Sequence, residues 1–177
     1  SVPVFSVSYR GKALLEQSPL GISLAPEGMI SDGLKITNVE LDSSDSTYTL
    51  FPGKNSSVRD HDNETVISME EERAPGRKFD LVFRVYNDGA AFRYSVPEQQ
   101  ALKDFTVTGE GTGFNVADNP RAFPLYLESY STSYEDHYVP ADVDEIKPGE
   151  LIALPLLMQY PDDVSIAITE AHLHDYA

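Results

Sequence analysis

Apolar and polar residues alternate with a period of two along most of this chain. The runs are Val4–Tyr9, Leu34–Leu41, Thr47–Phe51, Glu64–Glu70, Phe79–Tyr86, Ala90–Val96, Lys103–Thr108, Phe123–Ser129, Leu151–Gln159 and Val164–Thr169. Alternation of this kind turns one face of a strand to a core and the other to water. The clearest case is Phe79–Val96, which predicts two strands folded back around Asn87-Asp88-Gly89. Gly89 is expected to supply a positive φ in that turn. Phe83, Val85, Phe92 and Tyr94 are then core positions, and Arg84 and Arg93 are cross-strand neighbours that each need an acidic partner.

Turn residues punctuate the runs, as in Ser31-Asp32-Gly33 and Ala74-Pro75-Gly76. The 12 prolines and 11 glycines lie mostly between runs, where strand interiors would reject them. No segment keeps a 3.6-residue apolar period for three turns. At most Asn119–Phe123 or Glu170–Asp175 forms a helical turn. Leu151–Met158 is nearly continuous apolar sequence, expected to be buried on both faces at the centre of the core, with an edge or bulge at Pro155. Gly109–Gly113 carries three glycines without the lysine and helix of a phosphate loop, so it reads as a hairpin turn. Many short strands and no helix place the chain in the all-β class as an antiparallel sandwich.

Composition narrows the functional classes. A chain of 177 residues is one domain of ordinary size, able to bury a core. With 29 acidic against 13 basic residues the net charge is −16, which argues against nucleic acid and against anionic membrane surfaces. The absence of cysteine removes disulfides, thiol catalysis and Cys-ligated zinc. No run reaches the length of a membrane span. The alternation starts at the first residues with no basic or apolar targeting segment before it, as in a mature or trimmed chain. Ala177 follows a strand and an acidic turn, and an interruption is expected there rather than a natural end.

Little of the sequence carries chemistry outright. His172 and His174 would share a strand face with Glu170, but a closed zinc site needs four ligands, and Asp60-His61-Asp62 has no partner at metal spacing. There is no Gly-x-Ser-x-Gly elbow. The sequons at Asn55 and Asn63 read as coincidence. Carboxylates beside aromatic residues are the better candidates: Glu128, Glu135, Asp136 and Glu170, with Tyr126, Tyr130, Tyr134 and Tyr138 around the first three. Tyrosine faces stack on sugar rings while carboxylates accept from hydroxyls. The same residues also suit a loop that merely covers the end of a sandwich.

Six segments, taken together, resemble a known family in order and spacing over almost the whole chain. They are Val7–Lys12, Ser18–Ile22, Leu81–Tyr94, Tyr134–Tyr138, Leu154–Leu157 and Ile168–Tyr176. The family is glycoside hydrolase family 97, bacterial α-glucosidases and α-galactosidases, and the resemblance is to its N-terminal domain. The hairpin Arg84–Tyr94 is its most specific part. The resemblance implies an antiparallel β-super-sandwich of two packed sheets across residues 1–177, incomplete at one or both ends.

It further implies a parent whose catalytic carboxylates lie on a (β/α)8 barrel of roughly 250 further residues. This chain alone is then inactive, with no catalytic residue of its own. The barrel and the oligosaccharide substrate are its expected partners. The resemblance also implies Ca²⁺ in the parent, with Glu170 as the ligand lent by this domain and Glu135 next in line, and no ion held by the isolated chain. Glu135, Tyr134 and Tyr138 are the candidates for the substrate cleft. A periplasmic or secreted location follows from the same resemblance. The alternatives are an independent carbohydrate-binding module using Tyr126, Tyr130, Tyr134 and Tyr138, and an adhesion sandwich without a ligand.

Overall fold

The computed structural model describes residues 2–26, 28–51, 53–161 and 163–171. Among them the chain is all-β and antiparallel, with no α-helix. The first strands are β1 Val4–Tyr9, β2 Lys12–Pro19, β3 Ile22–Ala25, β4 Gly28–Ile30, β5 Leu34–Thr49, β6 Ser57–Glu71, β7 Lys78–Val85 and β8 Ala90–Ser95. They are followed by β9 Thr106–Glu110, β10 Arg121–Phe123, β11 Tyr126–Leu127, β12 Ala141–Asp142, β13 Leu151–Ile152, β14 Leu156–Gln159 and β15 Ser165–Ile168. Contacts divide the chain into two compact units: Ser1–Pro3 with Leu20–Gly111, and Val4–Pro19 with Thr112–Ala177.

The first unit contains the meander β5-β6-β7-β8 and the three-stranded sheet β4-β3-β9. Leu20, Ile22, Leu24, Ile30, Met69, Phe79 and Leu81 are among its buried apolar side chains. Bonds tie its two sheets together. The Gly21 N–H donates to the Tyr94 hydroxyl at 2.8 Å, and Arg77 reaches the carbonyls of Gly28 and Met29 at 3.3 and 3.5 Å.

β5 joins two expected runs into one 16-residue strand, because the polar stretch Asp42–Ser46 pairs residue for residue with Asp60–Glu64. Backbone pairing holds a segment whose side chains give no alternation. In the β7–β8 hairpin the buried residues are Phe79, Leu81 and Val82, while Phe83, Phe92 and Tyr94 are half-buried and Val85 is exposed. Gly89 does not take a positive φ. The loop Tyr86–Gly89 has four residues, closed by Tyr86 N–H to Gly89 O at 2.8 Å, and a loop of that length needs no left-handed residue. Arg84 stands opposite Ala91 and Arg93 opposite Val82, so the arginines are not directly paired. Gly109–Gly113 is not a hairpin turn: Gly109 lies within β9, and Gly111 N–H donates to Gly21 O at 2.7 Å.

The second unit contains the hairpin β1-β2, the sheet β12-β10-β14-β15 and the pair β11-β13. β1 and β2 meet at Arg10 and Gly11, both at positive φ (50° and 79°), a two-residue turn of primed geometry. β2 is absent from the expected runs because Leu14 and Leu15 are adjacent and both buried, which breaks the alternation. Asp118 and Asn119, at φ 56° and 45°, lead into β10 rather than a helix. Among the described residues the one helical turn is the 3-10 turn Val143–Glu145, and the other expected turn, Glu170–Asp175, lies mostly outside them. The expected strand Phe123–Ser129 shortens to β11. The run Leu151–Gln159 splits at Leu154-Pro155 into β13 and β14. It is not buried on both faces. Ala153 and Met158 are interior, but Leu154 and Leu157 are exposed, as befits a short sheet covered on one side.

Candidate functional site

The candidate residues all belong to the second unit, where register decides what they can do together. β10 and β15 both pair antiparallel with β14, so they run parallel to each other, and Phe123, Leu157 and Ala167 stand in one row. β12 enters beside β10, with Ala141 opposite Ala122. The loop 128–140 that joins β11 to β12 and the residues after β15 therefore leave from the same end of the sheet. Tyr134, Glu135 and Tyr138 sit on that loop, and Glu170 lies two residues beyond β15. All four are exposed.

The loop's ends are tied down while its middle faces water. Val139 N–H donates to Pro124 O at 3.0 Å. Arg121 holds the entry to β12 through Asp142 Oδ1 at 3.1 Å and Pro140 O at 3.0 Å. Between these anchors, the Asp136 carboxylate accepts from the His137 N–H at 2.7 Å, and Tyr130, Tyr134 and Tyr138 expose their rings. Tyr126, at the root of the loop, is half-buried, and its phenol is raised above its ordinary range by partial burial and then by the negative charges of Glu150 and Glu145. Such a loop offers aromatic faces and carboxylate acceptors, the groups that grip a sugar.

Among the described residues no three Asp, Glu or His side chains come together as a metal group. Ca²⁺ takes six to eight oxygen ligands. An exposed carboxylate such as Glu170 is of the oxygen type that Ca²⁺ takes and would supply only part of that number. His172 and His174, with which Glu170 would have formed a zinc face, lie outside the described residues.

In the first unit a cleft of about 250 Å³ is lined by Arg59, His61, Tyr86, Asn87 and Asp88. It exists because β6 runs past the end of β7 and brings His61 beside the hairpin loop. The sequence gives no signal of that overhang, since residues 57–63 do not alternate. On the other face of β6, Asp62 is buried with neither carboxylate oxygen hydrogen-bonded, its nearest cation being Arg84 Nε at 3.8 Å.

The family profile described as "Glycosyl-hydrolase 97 N-terminal" matches residues 1–177. The chain is 23% identical over 181 residues to a retaining alpha-galactosidase of Bacteroides thetaiotaomicron, covering 97% of this chain and 26% of that protein. Its fold matches a glycoside hydrolase family 97 enzyme of Pseudoalteromonas sp. strain K8, solved in complex with panose. There the TM-score is 0.88 and the identity 28%, covering 100% of this chain and 26% of that one. A beta-arabinopyranosidase matches with a TM-score of 0.82 and 31% identity over 94% of this chain and 27% of its own. The chain thus spans about a quarter of the length of the relatives it matches. Among the described residues no helix is long and apolar enough to cross a membrane.

Proposed function

The chain belongs to the glycosyl-hydrolase 97 N-terminal family, and we propose that it serves as the accessory domain of a bacterial hydrolase acting on α-galactosides or α-glucosides. The observation that carries this reading is the match over the whole chain to about a quarter of much longer enzymes. Relatives with this fold bear different substrate names, an α-galactosidase and a β-arabinopyranosidase among them. A domain common to both is better suited to supporting a catalytic domain than to selecting the sugar.

In this role the loop end of the second unit faces the substrate cleft. Tyr134 and Tyr138 offer ring faces, Glu135 accepts from sugar hydroxyls, and Glu170 lends one oxygen to a Ca²⁺ whose other ligands come from the catalytic domain. Bound there, Ca²⁺ would stabilise negative charge near the reacting bond. An enzyme feeding on external glycans is exported, to the periplasm or beyond.

The test is made on the full-length enzyme. Hydrolysis of chromogenic α-galactosides and α-glucosides is expected from it. Glu170→Gln should weaken Ca²⁺ binding by about tenfold or more in a calorimetric titration. Unchanged Ca²⁺ affinity would remove Glu170 from the site. Tight oligosaccharide binding by residues 1–177 alone would favour an independent binding module.

A further inference from the structure

Beyond the end of β7 the ribbon of β5 and β6 continues alone, and its polar side chains meet the β7–β8 loop. β7 stops at Val85, opposite Asn63, so Ser57–Asp62 pair with β5 only. Arg59 and His61, two residues apart, project from one face of this overhang, with Asp45 directly opposite His61. The Asp45 carboxylate clamps the Arg59 guanidinium, accepting from Nε at 2.7 Å and from Nη2 at 2.6 Å. Among the described residues the Nη1 group keeps both N–H donors without a protein partner, held in the plane that the clamp fixes. Across the cleft, the loop is closed by Tyr86 N–H to Gly89 O at 2.8 Å and presents Tyr86, Asn87 and Asp88. Arg59, His61, Asn87 and Asp88 are exposed, and Tyr86 is half-buried.

We infer that this cleft is a binding site for one neutral pyranose unit of an oligosaccharide. Each lining group is of a kind that sugars use. Asp88 accepts from a hydroxyl, Nη1 of Arg59 donates to one, Asn87 and His61 do both, and the Tyr86 ring offers an apolar face. The charges select against other ligands. Asp45 already neutralises Arg59, which leaves Asp88 uncompensated, so a phosphate or sulfate would meet repulsion in a chain of net charge −16. Four of the five lining side chains are polar, which disfavours an apolar ligand. The cleft's volume of about 250 Å³ lies just below the roughly 300–1,000 Å³ of drug-sized pockets, a size for a single ring. None of Tyr134, Glu135, Tyr138 and Glu170 lines it. The inference goes beyond the accessory-domain reading, which needs no sugar in the first unit and supplies only the reason that oligosaccharide is present.

Affinity electrophoresis of the full-length enzyme through gels containing soluble starch or galactomannan tests this. Retardation by at least one of the two polysaccharides is expected. Asp88→Ala and His61→Ala should each weaken it about tenfold, with hydrolysis of a nitrophenyl α-glycoside unchanged. Retardation equal to wild type in both variants would overturn the proposal. So would a wild type that is not retarded, or an equal loss in hydrolysis of the small glycoside. Gly89→Cys adds a second readout, since a Cβ there meets nothing within 4 Å and residues 1–177 contain no cysteine. Its alkylation, read by mass spectrometry of the labelled peptide, should slow when maltotriose or raffinose is added, and a rate unmoved by both would overturn the proposal. A thiol inert without sugar would overturn it too, as the mark of a cleft already filled by another segment of the enzyme or by a peptide. Weakened retardation of both variants in an enzyme that cleaves no α-glycoside would support the site while sinking the proposed activity.

Discussion

Arg77 and Glu71 form a two-pronged ion pair inside the first unit, with Nε and Nη2 of the arginine 2.7 and 2.6 Å from the two carboxylate oxygens. Both side chains are nearly enclosed, and Arg77 also reaches the Gly28 and Met29 carbonyls. Removing one partner strands a buried charge, so Glu71→Gln should lower stability by on the order of 3 kcal/mol. Lysine cannot reproduce the fork, and Arg77→Lys should be damaging as well. The Glu71 carboxyl is held below its ordinary range, chiefly by the hydrogen bond from the Arg77 side chain and against the opposing effect of burial. A lowered carboxyl contributes stability that is full above the ordinary glutamate value, about pH 4.3, and is lost as pH falls below it. Melting curves should therefore show a wild-type advantage over Glu71→Gln at neutral pH that shrinks in acid. An advantage constant with pH would refute the pairing.

Gly113 is required by space. A Cβ there would lie 2.9 Å from both Cδ and Cγ of Pro19, two atoms of a rigid ring. Gly113→Ala is expected to cost about 1–3 kcal/mol through overpacking. Gly89 offers the contrast, since an added Cβ meets nothing within 4 Å and its φ is not left-handed. Gly89→Ala should be neutral or stabilising by a few tenths to about 1 kcal/mol. Urea midpoints of the two variants, compared with wild type, should move in the order given, and the reverse order would contradict these contacts.

Asp62 is buried with no hydrogen bond to either oxygen, while the nearby Arg84 is engaged at 2.7 Å by Glu64. Desolvating a carboxylate without donors is unfavourable. Asp62→Asn removes the charge at nearly constant volume and should raise stability by about 1 kcal/mol. A drop in melting temperature would show that the carboxylate has a partner that holds it.

The hairpin Phe79–Val96 was legible because alternation and a turn tripeptide coincide there, and the predicted bounds fall within a residue of β7 and β8. Its core positions were not legible. Phe83 and Val85 alternate correctly, but alternation says which face a residue is on, not whether anything covers that face at that row. β2 escaped notice because Leu14 and Leu15 are consecutive. The long ribbon of β5 and β6 escaped because backbone pairing sustains Asp42–Ser46 without an apolar residue. The loop bearing Tyr134, Glu135 and Tyr138 was visible from composition, whereas its emergence at the same end of the sheet as Glu170 depends on the register of β10, β14 and β15, which no local pattern encodes.

Tyr160 joins two distant parts of the second unit. Its buried hydroxyl donates to the Leu14 carbonyl at 2.6 Å, and Lys12 Nζ sits 5.6 Å from its ring centroid. Burial, and then the negative charge of Asp118, push the phenol up to about 12. A raised phenol contributes stability that is full below its ordinary value of about 10 and is lost as pH rises from there through the folded value. Phenolate absorbance followed against pH should show one tyrosine ionising well after the exposed ones, and Tyr160→Phe should abolish that late step. The variant leaves the Leu14 carbonyl without its donor, at a cost of about 1–3 kcal/mol near neutral pH. The cost should diminish above pH 10, where the wild type begins to lose what the hydroxyl contributes. Tyrosines that all ionise together in the folded protein would contradict the burial of this hydroxyl.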